Sequence, residues 1–174
     1  MTKLKLDLVC QVAVVVRDLE EGLTQMRELL GIDESSVSFG DSLELIRSGK
    51  LEPQIYNGVE GTYAYRQVNF FMGGMDIEMF APVEGSAGDP ISDFLKEHGP
   101  GTHHLNIRLA NREEGLQFLR EDLGLVPLME GHFLGRHFAY FDMRKELGIT
   151  FEVGSRVVGP RASMSEEAIQ ALIR

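Results

Sequence analysis

Apolar and polar residues alternate through the opening stretch LKLDLVCQVAVVV, the period of a strand with one face turned inward. The period then changes. Leu19, Leu23, Met26 and Leu30 recur at helical spacing and predict one apolar helix face. Asp18 stands at the N-cap of that helix, and Gly31 stands where a glycine ends one. The same change of period returns later in the chain. An apolar strand leads through Asn111, a second N-cap, into Leu116, Leu119 and Leu123, and Gly124 follows.

The two stretches are copies. Gln11–Ile32 and His104–Leu125 align without a gap, with identities at Glu20/Glu113, Glu21/Glu114, Gly22/Gly115, Leu23/Leu116, Arg27/Arg120, Glu28/Glu121, Leu30/Leu123 and Gly31/Gly124. Strands are predicted after each helix, over 36–46, 62–72 and 75–81 in the first copy and 126–133, 136–142 and 148–154 in the second. Ser48–Gly61, with Pro53, Asn57 and Gly58, is expected to be a loop inserted in the first copy. The segment Pro82–Gly101 joins the copies and carries a short helix, DPISDFLKEHG, capped by Asp89 with Pro90 at its first position. A terminal helix is expected over Met164–Arg174 behind Ser165.

Each copy is therefore a β-α-β-β-β module. One helix cannot cover both faces of four strands, so the modules are expected to share a core and leave a concave sheet between them. The fold class is α+β: two tandem βαβββ modules forming a cupped, barrel-like mixed sheet. A single domain is expected over 1–156, with module one about 5–82, the linker 83–101 and module two 102–156, followed by a tail over 157–174.

Composition narrows the function. The formal net charge of −10 opposes binding to nucleic-acid phosphates or anionic lipid. No apolar run reaches the length of a membrane span, and the N-terminal apolar run alternates as a strand rather than ending in a signal cleavage site. Cys10 is the only cysteine, which excludes an internal disulfide and suits a reducing, cytoplasmic setting.

The duplication also singles out chemistry. Glu78 in MDIEMF and Glu152 in GITFEV are carboxylates inside apolar strands near the end of each module, and Gln11 and His104 are polar residues at corresponding places in each first strand. A carboxylate buried in mid-strand costs several kcal/mol unless it is paired or bound to metal. Gln11, Glu78, His104 and Glu152 together form an oxygen-rich ligand set with one nitrogen. That set suits one divalent ion of Mg, Mn, Co, Ni or Zn.

These residues resemble the vicinal oxygen chelate superfamily, also called the glyoxalase/bleomycin-resistance/dioxygenase fold, over about residues 7–156. QVAVVVRDLEEGL, IEMFAP, the linker DPISDFLKEHGPGTHHLNIRL and GRHFAYFDMRKELGITFEV are most similar to the methylmalonyl-CoA epimerase branch. The resemblance implies paired βαβββ modules, one metal, and ligands at Gln11, Glu78, His104 and Glu152. His104 rather than His103 matches the ligand because it is in register with Gln11. Gln11 departs from the histidine usual in epimerases, and a Gln, Glu, His, Glu set is similar to that of some glyoxalase I enzymes.

The implied reaction is epimerisation or isomerisation by proton abstraction α to a carbonyl, through a metal-stabilised enolate. The expected substrate is a small molecule, with an acyl-CoA such as methylmalonyl-CoA foremost, and a homodimer is the expected assembly. Glu152 and Glu78 are the candidate catalytic carboxylates. Glu44 and Glu60 are weighed as a second base, Tyr63, Tyr65 and Arg66 as groups that orient substrate, and His103 as a neighbour that supports the ligand. The alternatives are a glyoxalase I-like lyase acting on a thiol hemiacetal and a non-catalytic ligand-sequestering protein. A ferrous dioxygenase fits less well, because it wants two histidines and one carboxylate.

Overall fold

The computed structural model describes residues 4–49, 51–84, 88–133 and 136–154. The helix expected over Met164–Arg174 lies outside the described residues. Module one is built from β1 (Leu6–Val15), α1 (Leu19–Leu29), β2 (Asp33–Asp41), α2 (Ser42–Arg47), the short strands β3 (Gln54–Tyr56) and β4 (Val59–Gly61), β5 (Tyr65–Met72) and β6 (Met75–Pro82). The linker helix α3 (Pro90–His98) leads to module two. That module comprises β7 (Gly101–Leu109), α4 (Arg112–Gln117) running on into a π-helical turn over Phe118–Asp122, β8 (Met129–Phe133), β9 (Arg136–Met143), α5 (Arg144–Leu147) and β10 (Ile149–Val153). Among the described residues no helix is long and apolar enough to cross a membrane.

Among the described residues ten strands form one sheet, in the order β2-β5-β6-β1-β7-β10-β9-β8-β3-β4. Its two halves are the same four-strand arrangement, joined where β1 pairs antiparallel with β7. Register repeats with the topology. Gln11 and Ala13 lie opposite Asp76 and Glu78 in the parallel β1–β6 ladder, and His104 and Asn106 lie opposite Thr150 and Glu152 in the parallel β7–β10 ladder.

Local signals place the helices. The Asp18 side chain accepts the Glu21 N–H at 2.8 Å, and Asn111 accepts that of Glu114 at 3.3 Å. Asp89 accepts from both Ile91 and Ser92 at 3.0 Å. The shared Gly22 and Gly115 mark close helix–sheet approach, since a Cβ at Gly22 would lie 3.0 Å from Met79 Sδ and one at Gly115 would lie 2.3 Å from Leu109 Cδ1. Leu19 and Leu23 bury against Val68, Phe70, Ile77 and Met79, while Leu119 buries against Ile107, Ala139, Phe141 and Val153. Leu30 and Leu123, assigned to the apolar faces by their spacing, are instead 64% and 44% exposed, because each helix has already ended.

Two expectations are corrected. The strand expected over 36–46 stops at Asp41, whose side chain accepts the Leu43 N–H at 2.8 Å and starts α2. Ser42 pins that turn: its hydroxyl donates to the Tyr65 carbonyl at 2.7 Å and lies 2.6 Å from the Tyr65 N–H. The supposed loop Ser48–Gly61 contains the β3–β4 hairpin, turning through Asn57 (φ 50°) and Gly58 (φ 76°). This hairpin leaves module one and pairs with β8 of module two, Gln54 opposite Gly131 and Tyr56 opposite Met129.

The sheet curls. α1 and α4 cover its outer face, and α3 sits on the inner face, where Ile91 and Phe94 pack on Ala13, Val15, Tyr65 and Phe80. Tyr56, near the far end of the strand order, donates its hydroxyl to Asp93 on that same helix at 3.2 Å.

Candidate metal centre

The inner face of the four central strands carries an unusual density of buried polar side chains. Strand alternation puts Gln11 and Ala13, Asp76 and Glu78, His104 and Asn106, and Thr150 and Glu152 on this side. All eight are buried. Ala13 is the smallest of them. It lies opposite Glu78 on one side and His104 on the other, so the longer side chains can meet over it.

Glu78, His104 and Glu152 converge, with one potential ligand atom from each lying within 4.8 Å of the others. His104 Nε2 is 3.0 Å from Glu152 Oε2 and 3.8 Å from Glu78 Oε2. The other ring nitrogen is anchored, with His104 Nδ1 lying 2.8 Å from His103 Nδ1. One proton shared on that side directs the Nε2 edge at the carboxylates. Tyr140 stacks on the His104 ring at 4.6 Å between centroids, tilted by 30°.

The electrostatics are those of a cluster short of positive charge. Burial, then Glu152, then Asp76 push the Glu78 carboxyl well above the usual carboxylate range, and the Asn69 side chain across the β5–β6 ladder opposes the shift. Burial, then the neighbouring His104, hold His103 well below the usual imidazole range, so it is neutral. Burial and then the two glutamates raise the Tyr140 phenol; burial, then Glu78, raise Tyr65. Both phenols therefore remain protonated donors.

A divalent cation fits these residues. The donor set is two carboxylates and an imidazole nitrogen, the mixture taken by borderline first-row ions. Both polar atoms of the fully buried Gln11 amide have no hydrogen-bond partner, and His104 Nε2 faces the two carboxylates without an aligned hydrogen bond to either. Such groups cost free energy when nothing meets them.

Other sequence candidates lie elsewhere. Glu44 and Glu60 are exposed. Tyr63 donates to the Val59 carbonyl at 2.8 Å within the hairpin, and Arg66 pairs with Glu20 of α1 on the outer face. Tyr65 does reach the inner face, and His103 touches His104. Sequence reasoning missed Asn69, Tyr140, Asn106 and Gln54, all turned inward. For Asn69 and Tyr140 a signal existed, since each lies directly opposite a singled-out glutamate, Glu78 or Glu152.

A recess of about 200 Å³ opens between α3 and module two beside this cluster. His103, Tyr140 and Thr150 line it together with Tyr56, Asp93 and Arg144. Arg144 is held there by Asp142, at 2.8 and 2.7 Å, and by His98.

A family model described as the Glyoxalase/Bleomycin resistance protein/Dioxygenase superfamily matches residues 10–140. Among solved structures, the chain is similar to methylmalonyl-CoA epimerase from Mycobacterium tuberculosis, at 16% identity and TM-score 0.59, covering 88% of this chain and 91% of that one. It is similar also to a single-residue variant of Streptomyces coelicolor methylmalonyl-CoA epimerase in complex with 2-nitronate-propionyl-CoA, at 16% identity and TM-score 0.58 over 89% and 98% of the two chains. A hypothetical protein from Bacillus halodurans C-125 matches at 20% identity and TM-score 0.53, over 88% and 94%. No curated protein matches the sequence.

Proposed function

Because the chain belongs to the Glyoxalase/Bleomycin resistance protein/Dioxygenase superfamily, we propose that it is a divalent-metal-dependent epimerase or isomerase. It removes a proton α to a carbonyl, and 2-substituted acyl-CoA thioesters such as methylmalonyl-CoA are its substrate class. The observation that carries this reading is the meeting of Glu78, His104 and Glu152 within 4.8 Å on a buried sheet face. Gln11, Glu78, His104 and Glu152 would hold the ion. An ion there supplies a Lewis acid that lowers the cost of negative charge on the substrate oxygen as the α-proton leaves. Glu152 takes that proton and returns it, and Glu78 is the second carboxylate able to do so. Asn69 lies directly opposite Glu78, with an amide nitrogen able to donate to it, and Tyr140 with Phe80 shields the His104 side from water.

The test is solvent deuterium exchange. Metal-replete protein in D₂O is expected to place deuterium at C2 of methylmalonyl-CoA, and a chelator is expected to stop it. A metal-replete preparation that exchanges no deuterium into any 2-substituted acyl-CoA sinks the proposal. Gln11 favours a second reading, glyoxalase I-like turnover of a thiol hemiacetal. Turnover of methylglyoxal with a thiol, without acyl-CoA exchange, would select it.

His103 provides a prediction separate from turnover. If its 2.8 Å contact fixes how His104 presents Nε2, H103A weakens divalent-metal affinity by about 10–100-fold, and H103N recovers part of the loss. Competition against a chromophoric chelator reads this directly, and unchanged affinity in H103A rules out the orienting role.

A further inference from the structure

The β3–β4 hairpin is additional to the βαβββ plan, yet it brings a fully buried polar residue to the inner face. Gln54 is 0% exposed, and neither Oε1 nor Nε2 has a hydrogen-bond partner. The position is built to receive it. Gly131 lies directly opposite, and a Cβ there would stand 2.9 Å from Gln54 Cγ and 3.1 Å from Gln54 Cα, so the missing side chain makes room for the Gln54 stem. Two residues on, Tyr56 packs on Met129 and Phe138 and ties the strand to α3 through Asp93. The amide is thus held on a rigid strand with its polar atoms unused. A methionine would fill the same volume without burying unmet polar groups, so core packing alone does not account for a glutamine.

The neighbourhood identifies what the amide would meet. The Gln54 amide lies near the Tyr65 phenol, short of a formed hydrogen bond, and that phenol in turn feels Glu78 and Glu152. Gln54 and Tyr65 are neutral donors beside two carboxylates. They suit an acceptor oxygen on the substrate, and they add no cation that would pair with the glutamates.

We infer that Gln54, with Tyr65, binds a second oxygen-bearing group of the substrate, a carboxylate on the carbon that carries the acidic hydrogen, and so selects 2-carboxyacyl thioesters over plain acyl thioesters. This assignment rests on the enolate-forming reading of the site.

Calorimetric titration of metal-loaded wild type and Q54M with methylmalonyl-CoA and with propionyl-CoA tests it, with Q54L as a second variant. Q54M is expected to weaken methylmalonyl-CoA binding about tenfold, the worth of one hydrogen bond to a charged group, and to leave propionyl-CoA binding unchanged. Metal content should not change, and Tm should hold or rise. Equal weakening of both thioesters, no weakening of either, or loss of the folded state in both variants overturns the assignment while leaving the reaction class standing. If wild type binds neither thioester, the acyl-CoA reading fails and the assignment falls with it.

Discussion

Glu152→Gln is expected to cut metal-dependent α-proton exchange by roughly 10²–10⁴-fold, the usual worth of a positioned general base. The substitution keeps the volume of the side chain and an oxygen able to face the ion, but an amide cannot accept the proton. Glu152 Oε2 stands 3.0 Å from His104 Nε2 and its residue is 6% exposed, so no bulk water replaces it. Measuring metal content alongside turnover separates two roles. Retained metal with lost exchange makes Glu152 the proton carrier, and lost metal makes its main part ligation. Exchange within a few-fold of wild type, at full metal occupancy, would remove Glu152 from the reaction.

The second large effect is expected in the protein stripped of metal. There, Glu78→Gln should increase stability near neutral pH by about 1–3 kcal/mol, because it replaces one of two buried carboxylates that repel each other. Burial, Glu152 and Asp76 raise the folded-state carboxyl of Glu78 above its ordinary 4.5, so in the folded chain it keeps its proton to higher pH than in the unfolded chain. Its favourable contribution is therefore complete below about pH 4.5 and disappears as pH rises through the raised value. Metal-free wild type should lose Tm across that interval, and metal-free E78Q should lose less. Added divalent ion should invert the order, since a carboxylate holds the ion more tightly than an amide oxygen and binding to the native state therefore stabilises wild type more than the variant. Thermal melts against pH, with chelator and with metal, check both parts. An E78Q variant less stable than wild type at high pH without metal would show that the carboxylates do not strain the fold.

Much of this site is legible in the sequence because duplication imposes symmetry on the strands. Glu78 and Glu152 are unremarkable alone, but their matching places in two copies predict one shared face, and register puts both there. The capped helices are readable for a similar local reason: Asp18, Asn111 and Asp89 each act within three residues of themselves. The errors fall where local pattern and long-range contact disagree. Ser42–Arg47 alternates like a strand, and the helix there depends on the Asp41 cap and on Ser42 meeting Tyr65, a residue far along the chain. Gln54 reads as loop polarity because the partner that makes β3 a strand is β8, in the other module. Asn57-Gly58 is a hairpin signal in plain view, but a two-strand ribbon of three residues a side has no stability of its own.

That ribbon has a consequence for how the chain can assemble. Tandem repeats joined by a linker are open to exchange, in which a half from one molecule completes the half of another. Here a piece of the first half is woven into the sheet of the second, so two molecules could trade halves only by unpicking β3 from β8 as well as β1 from β7. Both ladders join distant parts of the chain, so each pairing carries a large loop-closure entropy. Once closed, they confine Glu78, His104 and Glu152 to a single polypeptide. Mixing two inactive variants, one altered at Glu78 and the other at Glu152, should therefore never regenerate an intact centre.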